Sequence, residues 1–321
     1  MSNKVPETAA GAVRARVRIR DHIYQTPLIP ARQVGKDDGS SVLFKAENFQ
    51  LTGSFKIRGA MSKLSAQSHD SRLITASSGN HGIGAACAAK ALHKDVTVVL
   101  PETVSKAKLE KLQTYGVKVI LHGAETGLAE QHAQHLATSE NYTYISPYND
   151  PDIIAGQGTI ALELLEQCKK IDNVFVAMGG GGLVSGIGSV MKAFSPETRI
   201  YGVSASNSKA LAESIAARHV VETEHHPTLA DGVAGGIDDD TVTLPLAMAV
   251  IDQVIECNES EIQSALKTFA FEENMIVEGS AALALAGYNK VAKTLAGQTS
   301  ILILCGANVS RELVLKEILG S

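Results

Sequence analysis

Apolar and polar positions alternate along this chain in blocks that predict strands followed by helices. In DVTVVLPETVSKAKLEKLQTYGVKVILHG, the β-branched run Val96 to Leu100 ends at Pro101. Ala107 to Tyr115 has helical spacing, and Gly116 stops it before a second apolar run, Val117 to Leu121. That is a β-α-β unit. NVFVAMGGGGLVSGIGSVMKAF repeats the order strand, glycine loop, helix from Asn173. RIYGVSA and SILILCGA add continuous apolar strands of the kind buried on both faces of a parallel sheet. The predicted class is α/β, with helices covering both faces of open twisted sheets. The softest segment, RHVVETEHHPTLADGVAGGIDDDT, reads as a long functional loop rather than a domain boundary, and no internal repeat is visible.

With 321 residues, 45% hydrophobic and 20% charged, the chain can bury a large core and form two domains or one large one. A net charge of -5, a sequence pI near 6.1 and 4% aromatic residues argue against nucleic acid as a partner. Cys87, Cys168, Cys257 and Cys305 have no metal or redox spacing and fit a reducing compartment. The first residues carry charges where a secretory signal needs an apolar stretch. No later run reaches the length of a membrane span. The expected location is the cytoplasm, with no membrane association.

Three stretches carry candidate chemistry. In GSFKIRGA, Lys56 stands between Phe55 and Ile57, with Arg58 placed for a salt bridge. Gly179 to Gly182 join a strand to a helix. Four glycines leave backbone N–H groups bare at the positive end of that helix, a natural seat for a single phosphate, whereas a tight turn needs only one or two. The spacing fails the dinucleotide pattern because Val184 takes the last glycine position. It fails the nucleotide-loop pattern because Ile187 stands where a lysine is required. SSGNHGIGAA, from Ser77 to Ala86, is open to two readings: a nest for a carboxylate, or a simple turn capped by Ser77 or Ser78 with His81 in the first helical turn. His132 and His135 lack further metal ligands and read as surface helix residues; His225 and His226 read as loop.

Taken in order, TPLIPA, GSFKIRGA, SSGNHG, AGQGTIALEL, MGGGGLVSGI, TLADGV and CGANVS resemble the fold type II (tryptophan synthase β-like) pyridoxal 5'-phosphate enzymes. Within that group the chain resembles the serine/threonine dehydratase and serine racemase branch. The resemblance implies that Lys56 bonds to the cofactor aldehyde, that Phe55 lies against the pyridine ring and that Asn80 donates to the ring hydroxyl. It implies that Gly179, Gly180, Gly181 and Gly182 hold the phosphate, and that Ser77, Ser78, Asn80 and His81 surround the substrate carboxylate. Asp231, Gly232 and Glu278 match positions around cofactor and substrate, although a helix-start acid explains Glu278 nearly as well. Cys305 matches the position facing the pyridine nitrogen. A thiol there leaves the ring neutral and favours elimination over transamination, while an ordinary buried cysteine remains the plain alternative.

The implied reaction is loss of water from a small β-hydroxy amino acid of the L-threonine or L-serine type, giving a 2-oxo acid and ammonia, with serine racemisation or dehydration of 3-hydroxyaspartate, phenylserine or a hydroxyectoine-derived amino acid as the alternatives. Lys56 takes the α-proton, and Ser78 keeps racemisation open from the opposite face. Relatives that hold a divalent ion place acidic residues where this chain has Ser204, Lys209 and Ala210, so no metal site is expected. The resemblance further implies a large cofactor-binding domain from residues 1–65 and 150–321, a smaller domain from residues 66–149 that closes on substrate, no appended C-terminal regulatory domain, and a homodimer.

Overall fold

The computed structural model describes residues 4–36 and 39–320. The chain opens with α1 (Lys4–Ile19), which buries Ala9, Ala12, Ala15 and Ile19 along one stripe. β1 (Leu28–Pro30) and β2 (Ser41–Lys45) follow, paired antiparallel. After α2 (Lys56–Ala66), strands and helices alternate: β3 (Arg72–Ala76), α3 (Asn80–Leu92), β4 (Asp95–Leu100), α4 (Lys106–Gln113), β5 (Lys118–Leu121), α5 (Thr126–Ser139) and β6 (Thr143–Tyr144). α6 (Pro151–Gln167) returns the chain to the first sheet. There follow β7 (Asn173–Ala177), α7 (Gly182–Phe194), β8 (Arg199–Ala205), α8 (Ala210–Ala217), α9 (Thr243–Val250), β9 (Gln253–Cys257), α10 (Glu259–Phe271), α11 (Gly279–Val291), β10 (Thr299–Ile303) and the short α12 (Arg311–Leu313).

The expected α/β class with two open sheets is what the chain adopts. One sheet has six strands in the order β1-β2-β10-β7-β8-β9, parallel except for β1. The other has four parallel strands in the order β5-β4-β3-β6. Central strands are apolar on both faces because helices cover both: every residue of β7 is buried, as is all of β10 after Thr299. Local signals explain the element ends. Asp150 caps α6 by accepting from the Asp152 and Ile153 N–H groups, with Pro151 as the first helical residue. Ser105 caps α4 through the Lys108 N–H, so that helix begins one residue before the apolar spacing suggests. Gly116, at φ 78°, ends the following turn. At α3 the capping position is Gly79, and the Ser77 hydroxyl accepts from the Gly79 N–H at 3.2 Å.

Both sheets reverse their strand order at one place. β4 lies on one side of β3 and β6 on the other, and β8 lies on one side of β7 with β10 on the other. Such switch points open a crevice at the carboxyl ends of the strands. Those ends are the Ser77–Asn80 turn after β3, the glycine loop after β7 and Cys305 after β10.

Two cores meet beside this crevice. The larger surrounds the six-stranded sheet and takes in Phe55 at its edge; the smaller takes in Ile57 and Leu64 of α2, Leu73, Val98 and Ile153. Lys56 therefore stands at the seam. α2 and α6 approach backbone to backbone there: a Cβ on Gly156 would lie 2.5 Å from the Arg58 carbonyl oxygen. Gly156→Ala is expected to destabilise the protein by about 1–3 kcal/mol through forced separation of the helices. Gly127→Ala, in a helical position with open space around it, should be neutral or slightly stabilising. Denaturant unfolding of both variants checks this, and equal midpoints would contradict it.

Candidate active site

A cleft of about 880 Å³ lies between the two sheets, and its walls gather every site residue expected from the sequence. Phe55 and Lys56 come from the start of α2, and Ser77, Ser78, Asn80 and His81 from the β3–α3 turn. Gly179 to Gly182 come from the β7–α7 loop, Asp231 and Gly232 from a single 3-10 turn, Glu278 from the start of α11, and Cys305 from the end of β10.

The Lys56 amine donates to the Pro147 carbonyl at 2.9 Å and lies 5.4 Å from the centre of the Phe55 ring. Burial lowers its pKa to about 8. Two groups oppose that shift, Cys305 first and Glu278 second. Burial also pushes the Cys305 thiol well above its ordinary value, so it stays a neutral thiol, and the opposing charge falls to the Glu278 carboxylate as it ionises. Glu278 is itself buried and raised to about 7 by desolvation. It occupies the N-cap position of α11, but its carboxylate turns away from that helix. Both oxygens accept from the Asn80 amide, at 2.9 and 3.0 Å, and one accepts from the Asn308 N–H at 3.2 Å.

The two anion seats differ in construction. In the glycine loop a Cβ on Gly180 would lie 2.3 Å from the Tyr148 ring, and Gly181 adopts φ 88°, so this loop can exist only without side chains. It ends at the start of α7, where no side chain caps the free N–H groups. In the β3–α3 turn, Ser77 is held by its bond to Gly79. The His81 Nε2 faces the Thr75 hydroxyl at 3.0 Å and the Ile145 carbonyl at 3.2 Å. Burial drives the His81 pKa to about 3, so the ring is neutral. Ser78 lines the cleft beside them without the bonds that hold Ser77 and His81.

Sequence reading missed several cleft residues. Ser280, two residues beyond Glu278, places a buried hydroxyl in the wall with no partner. Asn308, quoted within CGANVS but given no role, joins the Asn80 side chain to the Thr52 carbonyl at 2.7 and 2.8 Å and accepts from Lys111 at 3.2 Å. Tyr148 closes the glycine loop, and its hydroxyl accepts from the Asp238 N–H at 2.7 Å. None of these belongs to a spacing pattern with its own chemistry, and each becomes visible only when distant loops meet. Outside the cleft lining, His132 stacks on His122 at 3.8 Å, and His225 bonds Ser208 at 2.9 Å behind the Gly235–Gly236 wall. Lys209 lies between Glu213 and Glu256, at 3.5 and 3.1 Å. Among the described residues no cluster of three or more His, Cys, Asp or Glu could hold a metal ion.

The profile of the family described as pyridoxal-phosphate dependent enzyme matches residues 19–306. The chain belongs to that family. It is 36% identical over 302 residues to the catabolic L-threonine dehydratase of Staphylococcus aureus strain N315, covering 92% of this chain and 87% of that one. The processed form of threonine deaminase isoform 2 from Solanum lycopersicum superposes with a TM-score of 0.93 at 31% identity, covering 99% of this chain and 88% of that one. Maize serine racemase superposes with a TM-score of 0.88 at 30% identity, covering 96% and 95%.

As a member of the family the protein is a pyridoxal 5'-phosphate enzyme, and the cleft residues fit that cofactor. The bare glycine loop suits a phosphate, the Lys56 amine suits an aldehyde, and the unpartnered Ser280 hydroxyl offers a further polar contact. Because only the free amine attacks an aldehyde, the rate at which cofactor-free protein captures pyridoxal 5'-phosphate should rise with pH to a midpoint near 8. Lys56→Ala should give no bound cofactor band, and Glu278→Gln should move the midpoint down by removing the charge that favours the ammonium. A midpoint at the ordinary lysine value of 10.5 would contradict the assignment.

Proposed function

We propose that the protein is an ammonia-lyase that removes water from a small β-hydroxy amino acid of the L-threonine or L-serine type. The observation that carries this reading is one cleft holding a buried low-pKa lysine, an open serine turn, a bare glycine loop and a neutral buried cysteine. When bound, pyridoxal 5'-phosphate supplies an aldehyde for the substrate amine and a ring that draws electrons from the α-carbon. The glycine loop and the start of α7 hold its phosphate, while the N–H groups at the start of α3 orient the substrate carboxylate. The Lys56 amine, whose lowered pKa near 8 makes the free base accessible close to neutral pH, takes the α-proton. The electron pair left behind expels the β-hydroxyl, which leaves as water by gaining a proton that balances the one Lys56 removed, and the aminoacrylate released takes up water to give a 2-oxo acid and ammonia.

Cys305 supports elimination over transamination, since a neutral thiol offers no charge-assisted bond to a protonated ring nitrogen. Ser78 favours serine racemisation as a second activity, because it lines the cleft without the structural bonds that hold Ser77 and His81. The four-stranded unit is proposed to close on substrate, and the protein to work as a homodimer in the cytoplasm. The four cysteines are free, and among the described residues no helix is long and apolar enough to cross a membrane.

Oxo-acid and ammonia release across a panel of β-hydroxy amino acids tests the activity; no release from L-threonine or L-serine would refute it. Ser78→Ala separates the two faces. It should abolish interconversion of L- and D-serine. Elimination from the L-enantiomer should survive, weakened by the loss of at most one hydrogen bond to a charged group, about 1.5–3 kcal/mol. Chiral analysis of residual serine beside oxo-acid release checks both, and unchanged racemisation would remove Ser78 from the chemistry.

A further inference from the structure

Behind Lys56 lies a charge cluster that the proposed reaction does not use. Arg58 is fully buried. Its Nε and Nη2 donate to the two Glu47 oxygens at 2.7 and 2.8 Å, and its Nη1 and Nη2 donate to the two Glu163 oxygens at 2.6 and 2.9 Å. Nη1 also reaches the Thr159 hydroxyl at 3.2 Å, and Nη2 the Tyr24 carbonyl at 3.3 Å. Glu163 further accepts from the Lys45 ammonium at 2.5 Å, and Glu47 from the Thr26 hydroxyl at 2.5 Å. Two cations and two carboxylates thus neutralise one another out of contact with water.

Replacing such a cluster with apolar side chains is often neutral or stabilising, so its presence is weak evidence for stability as its purpose. Its geometry is more informative. Glu47 follows β2, Lys45 ends β2, and Thr159 and Glu163 lie on α6. One guanidinium therefore fixes the first turn of α2 to the six-stranded sheet and to α6 together. α2 has no side-chain cap of its own; its entry is otherwise held by the Phe55 N–H donating to the Cys305 carbonyl at 3.0 Å. Lys45 stands in register with Ile303 of β10, and its carbonyl accepts from the Leu304 N–H at 3.0 Å, so the same cluster touches the strand that delivers Cys305. Residues two apart on a helix point about 200° away from each other. Anchoring Arg58 at the back of α2 aims Lys56 forward into the cleft.

We propose that Arg58, clamped by Glu47 and Glu163, is a positioning residue that sets the direction of the Lys56 amine. The proposal rests on Lys56 being the cofactor-bearing base. Arg58→Lys keeps the charge but cannot fill both carboxylate forks. In the cofactor-loaded enzyme it should retain native circular dichroism and bound cofactor, lower kcat by about 10²-fold with KM little changed, and shift the pH midpoint of the bound-cofactor absorbance band. Thr159→Val removes one hydrogen bond and no charge; it should shift the same midpoint in the same sense by less, and it carries the test if Arg58→Lys does not fold. A folded variant with a lowered melting temperature but unchanged kcat and band midpoint would overturn the proposal, leaving the cluster as a stability element. Retention of the band in Lys56→Ala would instead overturn the underlying assignment of Lys56, so the two failures are distinguishable.

Discussion

The close approach of α2 to its neighbours is the constraint on which the rest of the site depends. The start of α2 is wedged between α3 and α6. A Cβ on Gly84 of α3 would lie 3.1 Å from the Ile57 nitrogen, and one on Gly156 of α6 would lie 2.5 Å from the Arg58 oxygen. With side chains at either place, α2 and its neighbour would have to separate and Lys56 would lose its present position. The wedge also explains why a lysine can be buried here at all. It sits at the seam of two cores, where Phe55 packs toward one and Ile57 toward the other, and its amine emerges into the single crevice that both sheets share.

Much of the architecture was legible because the strands are buried on both faces. Continuous β-branched runs such as Val96 to Leu100, each followed by a helical period, allow little besides a parallel α/β sheet. The glycine loop was legible for a related reason: four consecutive glycines at a strand-to-helix junction have few structural uses, and the contact of Gly180 with Tyr148 supplies a steric one beside the phosphate. The pairing of Arg58 was foreseen only as a salt bridge. Its partners are 11 and 105 residues away, and no local pattern points to Glu163 inside an apolar helix.

Individual roles within SSGNHG were harder to read, because the sequence names donors without aiming them. The structure divides that turn. Ser77 bonds Gly79, the His81 ring faces Thr75 and Ile145, and the Asn80 amide is directed at Glu278. Glu278 shows the opposite case. Its place at the start of α11 invited a capping role, yet its carboxylate is spent across the cleft on Asn80 and Asn308. A short motif fixes which groups are present; tertiary packing decides which of them remain free for a ligand.

That division bears on why one scaffold superposes on both a threonine deaminase and a serine racemase. The wedge, the glycine loop and the buried thiol serve elimination and racemisation alike, since both begin with removal of the α-proton, so they cannot discriminate between these two outcomes. On the proposed reading, the outcome is decided by what meets the α-carbon afterwards. A proton returned from the face opposite Lys56 gives racemisation, and a departing β-hydroxyl gives elimination. Lys56 is held by close backbone contacts around α2, whereas Ser78 stands on a half-buried turn at the cleft wall with few bonds of its own. Substitution on that turn disturbs little packing, while substitution around Lys56 strikes the junction of two cores. The balance between the two reactions can therefore shift by changes in the serine turn, with the apparatus that takes the first proton left intact.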